Sequence, residues 1–171
     1  PWSSSAASDV YKRQVEAFTS GTISRYTPVY LIFNQEIVAD RMKPEQLHDL
    51  VRIKPETAGE WAFENNRTIV FKPTKSFERN TRYEVKADLS EWFDTEWKDK
   101  YFTFRFSTQP LLLRANLQSV DINRKNENGY DIVCLVFTPD KETPETVESL
   151  VRFSEKTDAT WQHSPDGKRH E

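Results

Sequence analysis

Residues that could do chemistry are few in this chain, which has one cysteine and three histidines. Cys134 lies inside an apolar run, which predicts a buried structural thiol rather than a nucleophile or a thioester partner. His48, His163 and His170 have no zinc-ligand spacing to one another or to the cysteine, so we expect all three at the surface. The sequence therefore predicts no catalytic residue, no metal ligand and no cofactor.

The loop Ser90–Lys100 has the most unusual composition, because it sets three large aromatic side chains among acidic residues. Exposed aromatic side chains beside carboxylates can bind a glycan or a partner protein, so Trp92, Phe93 and Trp97 are the candidate contact residues. The alternative, which we favour, is that these side chains fold down to cap one end of a β-sandwich. A hydrolytic pair of carboxylates would need a fixed separation, which this loop does not define.

The composition is that of a polar but folded chain. Its 171 residues are 36% hydrophobic, 13% aromatic and 30% charged, and the mean hydropathy is -0.77. Aromatic residues at this level argue against disorder, because disordered segments lack groups worth burying. The net charge of -3 comes without a basic patch, so no nucleic-acid partner is expected. No apolar run is long enough to span a membrane, so we expect no membrane contact from this segment.

Short apolar runs recur about every ten positions between turn residues, which is typical of an all-β sandwich. A helical turn is expected over Pro44–Asp49 and a tight hairpin at Asn65–Arg67. The strands expected before residue 110 are Val15–Thr19, Val29–Phe33 (central in its sheet), Val51–Ile53, Trp61–Glu64, Thr68–Lys72, Arg82–Ala87 and Tyr101–Ser107. Those expected after it are Val120–Ile122, Tyr130–Phe137 and Leu150–Phe153, with a turn at Asn126–Gly129.

One stretch of the chain occurs twice, one hundred positions apart. Residues 44–65 and 144–165 share seven identical residues over twenty-two aligned positions, where average composition would give about one or two by chance. Self-similarity at a fixed offset indicates tandem modules. The repeat therefore predicts two copies of one small domain, with Trp61 and Trp161 filling equivalent core positions.

These observations divide the chain into three parts. Residues 1–14 resemble translated sequencing-adaptor read-through, and we treat them as a non-native or disordered leader. Residues 15–110 are expected to form one Ig-like β-sandwich domain, and residues 111–171 the N-terminal part of a second. The later strands have no counterparts in that second part, so the expected fold is tandem Ig-like β-sandwich domains with the second incomplete, a piece of a larger protein.

Several segments of the first module resemble known bacterial domains. The motif of the bacterial Ig-like domain of S-layer proteins is matched by Phe71-Lys72-Pro73, Phe77, Asn80–Val85 and Phe104–Thr108. The opening Val15–Gly21 with Val29–Asn34 resembles the N-terminal region of bacterial alpha-2-macroglobulin family proteins, particularly those of Bacteroides-like organisms. Within the Ig-like motif, we expect Tyr83 to act as a tyrosine corner, whose hydroxyl ties a strand to a loop.

The alpha-2-macroglobulin resemblance implies a function for the whole protein rather than for these residues alone. Members are large proteins of the periplasm or cell envelope, often lipid-anchored, that trap proteases with a bait region and a Cys-x-Glu-Gln thioester. Leu135-Val136-Phe137 follow Cys134, so no thioester residue carries over. The resemblance therefore implies a non-catalytic structural module, with neighbouring domains of the same chain and target proteases as partners. The alternative is an Ig-like spacer or adhesion module of a cell-surface protein, one that also binds glycans.

Overall fold

The computed structural model describes residues 2–3, 14–93, 100–123, 129–154 and 158–171. Contacts between Cα atoms divide the chain into two units, residues 1–109 and 110–171. The first unit contains a five-stranded and a four-stranded sheet, and the described part of the second contains a three-stranded sheet with a short helix. The fold class is therefore all-β, as the rhythm of apolar runs predicts.

Little of the expected leader is described, but two of its residues form a strand. Strand β1, Trp2–Ser3, pairs antiparallel with β2, Val15–Thr19, and places Trp2 opposite Thr19. Gln14, the residue before β2, is buried. These three residues therefore belong to the first unit, which differs from the leader expected over residues 1–14.

The five-stranded sheet is antiparallel throughout and is built from the most apolar strands. Its order is β1-β2-β4-β7-β6, where the strands after β2 are β4 (Val29–Phe33), β6 (Gly59–Asn65) and β7 (Thr68–Pro73). Strand β4 is central, as expected, and buries Val29, Leu31 and Phe33 completely. Strands β6 and β7 are joined through the predicted hairpin, where the amide of Arg67 donates to Oδ1 of Asn65 over 2.8 Å.

The four-stranded sheet packs as the second layer of the sandwich. Its order is β3-β9-β8-β5, with β3 (Gly21–Ile23), β5 (Val51–Lys54), β8 (Arg82–Asp88) and β9 (Tyr101–Thr108). Strand β3 has no counterpart among the expected strands, and it pairs in parallel with β9. Gly21 has a φ of 73°, a conformation that glycine adopts without strain. The chain passes from one sheet to the other at this residue, directly after β2.

A short helical crossover connects the two sheets between β4 and β5. It consists of 3-10 turns at Ala39–Arg41 and Pro44–Gln46, followed by helix α1 at Leu47–Leu50. Proline suits the start of such a turn because it lacks an amide hydrogen that would need a partner. Leu47 is fully buried, and Met42 and Leu50 pack against the same core, so apolar side chains fix the crossover to the first unit.

The core of the first unit is largely aromatic, and the resemblance motif supplies its centre. Phe77 has its ring centroid 6.0 Å from that of Phe71, 4.9 Å from Tyr83 and 5.3 Å from Phe106. Tyr83 and Phe106 are stacked at 5.2 Å. The hydroxyl of Tyr83 accepts the backbone amide of Glu78 over 3.0 Å, which confirms the tyrosine corner. Such ring pairs add about 0.5–1.5 kcal/mol each beyond area burial.

The second unit is built on one long hairpin. Its elements are β10 (Arg114–Ile122), β11 (Tyr130–Phe137), helix α2 (Pro144–Leu150) and β12 (Arg169–His170), and the sheet order is β10-β11-β12. The strand expected over Leu150–Phe153 is absent, because residues 151–153 are irregular. Most of the predicted turn at Asn126–Gly129 lies outside the described residues. No helix in the described parts of the chain has the length and apolar character to cross a membrane.

One face of the β10–β11 hairpin is apolar and exposed. Opposite residues of an antiparallel pair point to the same face, and the register gathers Ala115, Leu117, Val120 and Ile122 with Tyr130, Ile132, Cys134 and Val136. Only Val136 of this set is buried, whereas Ile122 and Tyr130 are 70% and 66% exposed. This face therefore differs from the inner faces of the first unit, which are covered by the facing sheet.

Candidate functional site

The aromatic loop after β8 does not form a surface platform in its described part. Trp92 and Phe93 are 0% and 4% exposed, and their ring centroids lie 5.8 Å and 5.1 Å from that of Phe33. The assumption of exposure behind the glycan-contact hypothesis is wrong for these two residues, because their rings fill the end of the core. Trp97 lies outside the described residues, so its role as a contact stays a prediction.

Cys134 corrects a second expectation. The thiol lies in the middle of β11, as the apolar run predicts, but it is exposed rather than buried. Its side chain is on the apolar face of the hairpin, where Val136 is the one buried member of the set. A mid-strand apolar context predicts burial only where a second layer faces the strand.

The three histidines have different environments. His48 is exposed on α1, with Nε2 3.2 Å from Oδ1 of Asp49, which matches the expected surface position. His170 is fully buried, and its Nδ1 lies 2.7 Å from Nδ1 of His163. The expectation of a surface position is therefore wrong for His170, and it is wrong for His163, which is partly buried against it.

Helix α2 completes this cluster with a carboxylate. Oε1 of Glu148 lies 2.8 Å from Nε2 of His163, and the indole ring of Trp161 stacks on the same imidazole at 5.7 Å with an interplanar angle of 5°. The result is a continuous chain, Glu148–His163–His170, which we call the histidine chain. It leads from a half-exposed carboxylate to a buried ring.

A tight turn brings the two histidines together. Residues 164–169 have the sequence Ser-Pro-Asp-Gly-Lys-Arg, a combination that is a strong turn signal. Gly167 has a φ of 66°, and its amide donates to the carbonyl of Ser164 over 3.0 Å. Asp166 accepts the amide of Lys168 over 3.0 Å. The turn folds the chain back so that His163 and His170 face each other in an antiparallel bridge.

Hydrogen-bond partners assign the protons in the histidine chain. Nε2 of His163 carries a proton, because its partner Glu148 is an acceptor. With His163 neutral, its Nδ1 accepts, so Nδ1 of His170 is the donor. Nε2 of His170 is then an unprotonated, buried nitrogen with no hydrogen-bond partner among the described residues. The arrangement can move a proton between Glu148 and the ring of His170, which is fully buried.

Burial lowers the pKa of His170 below the ordinary histidine value of 6.5, and the neighbouring His163 lowers it further. The backbone of Gly167 and the carboxylates of Asp166 and Glu142 act in the opposite direction. The Ser164 hydroxyl lowers the pKa of Asp166 below 3.8 by donating a hydrogen bond to its carboxylate. A carboxylate thus lies near a histidine whose charged form is disfavoured, because that form would lose contact with water.

Metal or cofactor binding has no built site in the described parts of the chain. They hold no group of three or more histidine, cysteine, aspartate or glutamate side chains placed to bind a metal ion. A groove of about 470 Å³ lies on the outer face of the four-stranded sheet, lined by residues that include Arg52, Lys54, Glu84 and Asp88. Opposite charges alternate along this groove, so it does not favour a ligand of either sign.

Comparison with known proteins finds a distant structural likeness only. No protein-family model matches the chain, and no curated protein matches it. Two solved structures of L,D-transpeptidase 3 from Mycobacterium tuberculosis, one of them carrying a faropenem-derived adduct, are each 12% identical to it. The TM-scores are 0.41 and 0.39, over 85% and 82% of this chain. The chain spans about half the length of these two proteins, 54% and 53%, and a likeness this low carries no functional argument.

Proposed function

We propose that this chain is a non-catalytic structural module of a bacterial cell-envelope protein of the alpha-2-macroglobulin type, in which the complete protein traps proteases. One observation carries the proposal. The residues that match the bacterial Ig-like motif, Phe71, Phe77, Tyr83 and Phe106, pack against one another in the core. They are therefore used to hold two sheets together, which is the work of a scaffold.

The burial of the aromatic loop supports the same function. Trp92 and Phe93 lie against Phe33, so in its described part the loop fills the core instead of presenting these two rings to a ligand. An aromatic side chain that is fully buried stabilises the fold by roughly 1.5–3 kcal/mol relative to exposure. A rigid, closed domain of this kind suits a protein that must resist the proteases it meets.

The proposal places the protein in the periplasm or cell envelope, with a lipid anchor in the full-length form. Its partners are the neighbouring domains of the same chain, and target proteases for the complete protein. Neither nucleic acid nor a small-molecule cofactor is part of the proposal. The alternative, a spacer or adhesion module of a cell-surface protein, uses the same sandwich and differs in what surrounds it in the gene.

Determining the reading frame that encodes these residues tests the proposal. On the C-terminal side of residue 171 we expect a bait-like segment. A Cys-x-Glu-Gln motif further along, as in many members of the alpha-2-macroglobulin family, would support the proposal further. Many further copies of the sandwich together with a cell-wall anchor would identify the spacer instead. Neither outcome depends on how the 171-residue chain behaves in solution.

A biochemical experiment tests the scaffold role on the chain itself. The 171-residue protein is incubated with trypsin, its cleavage sites are mapped over time, and trypsin activity is followed with a small substrate. The described parts of the sandwich, residues 14–93 and 100–109, should resist cleavage, and trypsin activity should be unchanged. Inhibition or turnover by this chain alone would contradict a purely structural module.

A further inference from the structure

We propose that the histidine chain Glu148–His163–His170 is a pH-sensitive latch, which ties β12 to the segment around His163 and to helix α2 and opens when both imidazole rings are protonated. The two rings share a single hydrogen bond between their Nδ1 atoms, 2.7 Å apart. This contact has room for one proton. Its position inside the second unit makes the latch independent of the function proposed for the whole protein.

The first proton can be taken up without breaking the chain. It enters His163, whose Nε2 already faces the carboxylate of Glu148 at 2.8 Å. Nδ1 of His163 then donates and Nδ1 of His170 accepts, while the proton of His170 moves to its Nε2. One hydrogen bond is thus exchanged for another, and the imidazolium remains next to a carboxylate.

The second proton cannot be accommodated in the same way. Both Nδ1 atoms would carry hydrogens that point at each other across 2.7 Å, and two positive rings would meet. His170 is also fully buried, so its charge would have little contact with water. Double protonation therefore requires the rings to separate.

Charged groups from every neighbouring segment face this pair. Glu148 comes from α2, Glu142 from the segment after β11, and Asp166 from the turn between the histidines. Asp166 and Glu142 favour the charged form of His170 and so act against the effect of its burial. They do not remove the contact between the two Nδ1 atoms, so the second proton still costs the hydrogen bond. Trp161 covers the other side of the His163 ring and brings no charge.

Separation of the rings would weaken the docking of a short strand, because the two ends of the turn would lose their side-chain contact. Strand β12 consists of two residues, with His170 opposite Val136 and Arg169 opposite Phe137. The other contacts of this segment include backbone hydrogen bonds, Thr138 to Lys168 at 3.0 Å and Glu171 to Gln162 at 2.8 Å, and the hydroxyl of Thr138, which donates to the carbonyl of Gly167 over 3.3 Å. Pairing this short is marginal in water without side-chain packing. The histidine pair joins the side chains at the two ends of the turn, and through Glu148 it links them to α2.

The direction of the pH dependence follows from the buried ring. The pKa of His170 is lowered in the folded state, so the released segment binds protons more readily than the docked one. Docking is therefore fully stabilised above pH 6.5, the ordinary histidine value. It is lost as the pH falls through the lower, folded-state pKa. Each further pH unit should shift the ratio of docked to released forms by about tenfold per proton taken up.

Amide hydrogen exchange on the 171-residue chain, followed by NMR as protection factors, tests the latch. The amides of Thr138 and Glu171 report on docking, and the amide of Phe33, which donates to the Arg67 carbonyl over 2.8 Å, reports on the first unit. Below pH 6.5 we expect protection at Thr138 and Glu171 to fall while Phe33 stays protected. Unchanged protection at all three amides down to pH 4.5 would overturn the proposal.

Replacing His170 distinguishes opening of the latch from destabilisation of the whole protein at low pH. In His170→Asn the side-chain amide can occupy the position of Nδ1 and bond to His163, but it takes up no proton. Its protection at Thr138 and Glu171 should stay constant where the wild-type value falls. His48→Asn is the matched control, because His48 is exposed and pairs only with Asp49 in the described structure, and it should behave as wild type. A parallel loss of protection in His170→Asn and wild type would contradict the proposal.

Titration of the imidazole carbon-bound protons in the wild-type chain gives a test that needs no variant. The ring of His170 should take up its proton only below pH 6.5, because burial and the neighbouring His163 lower its pKa. Protonation of the His170 ring at pH 6.5 or above would refute the latch.

Discussion

The stretches 44–63 and 144–163 begin alike and end in different surroundings. Each starts at a proline, forms a helical turn and buries one apolar residue at the same position, Leu47 or Val147. Residues 51–54 then form a strand paired with β8, whereas residues 151–153 are irregular. Local sequence thus determines the helical turn, and the strand forms only where a partner strand exists.

The aromatic ends of the two stretches show the same difference. Trp61 packs on Phe71 with ring centroids 5.2 Å apart, next to the core of the first unit. Trp161 stacks on His163, which occupies the position equivalent to Phe63. The prediction that both tryptophans fill equivalent core positions is therefore wrong for Trp161. The neighbouring strand β7 supplies the aromatic partner of Trp61 in the first unit, whereas a hydrogen-bonded histidine is the partner of Trp161 in the second.

The largest expected effect comes from removing the ring at the centre of the first core. Phe77→Ala should lower the free energy of unfolding of the first unit by about 3–5 kcal/mol, because a buried ring is lost and a cavity is left. Urea unfolding followed by amide signals of β4 and β9 measures it. Phe153→Ala is the control in the second unit, since Phe153 is 54% exposed, and it should change stability by less than about 0.5 kcal/mol. Equal effects would show that the two units do not differ in packing.

The two tryptophans provide the most direct test of the comparison. Trp61→Ala should cost the first unit about 2–3 kcal/mol, below the range for a fully buried ring because Trp61 is partly exposed. Trp161→Ala should cost the second unit less than about 1 kcal/mol, because only stacking on His163 is lost. Unfolding of each unit, measured through its own amide signals, gives the two values. If Trp161→Ala lowered the free energy of unfolding as much as Trp61→Ala does, the two positions would be equivalent after all.

Features that depend on local pattern could be predicted from the sequence, and those that depend on a distant partner could not. Strands β2, β4 and β11 have the bounds expected from their apolar runs. The exposure of Cys134 could not be predicted, because it depends on whether a second layer covers its face. The pairing of His163 with His170 is not among the expectations from the sequence, although the Ser-Pro-Asp-Gly turn between them predicts that the chain folds back at this point.

The tyrosine corner allows a smaller, purely polar test of the first unit. Tyr83→Phe removes the hydroxyl that accepts the amide of Glu78 at 3.0 Å and leaves the ring stacking on Phe106 in place. The unpaired amide should cost about 1–2 kcal/mol in urea unfolding of this unit. Tyr130→Phe in the second unit is the matched control, because Tyr130 is 66% exposed. No difference between the two substitutions would mean that water replaces the corner hydrogen bond.

The smallest expected effect distinguishes how the two helical turns begin. Thr143 caps α2, since its hydroxyl accepts the amide of Thr146 over 3.3 Å, whereas Lys43 makes no side-chain cap before the equivalent 3-10 turn. Because this hydrogen bond is long, Thr143→Ala should destabilise α2 by about 0.5–1 kcal/mol, the lower part of the N-cap range. Lys43→Ala should change the first unit by less than about 0.5 kcal/mol. Amide exchange at Val147, which donates to the Thr143 carbonyl over 3.2 Å, measures the first effect. If Thr143→Ala left that exchange unchanged, α2 would be held by burial of Val147 alone, as α1 is held by Leu47, and the two turns would be equivalent.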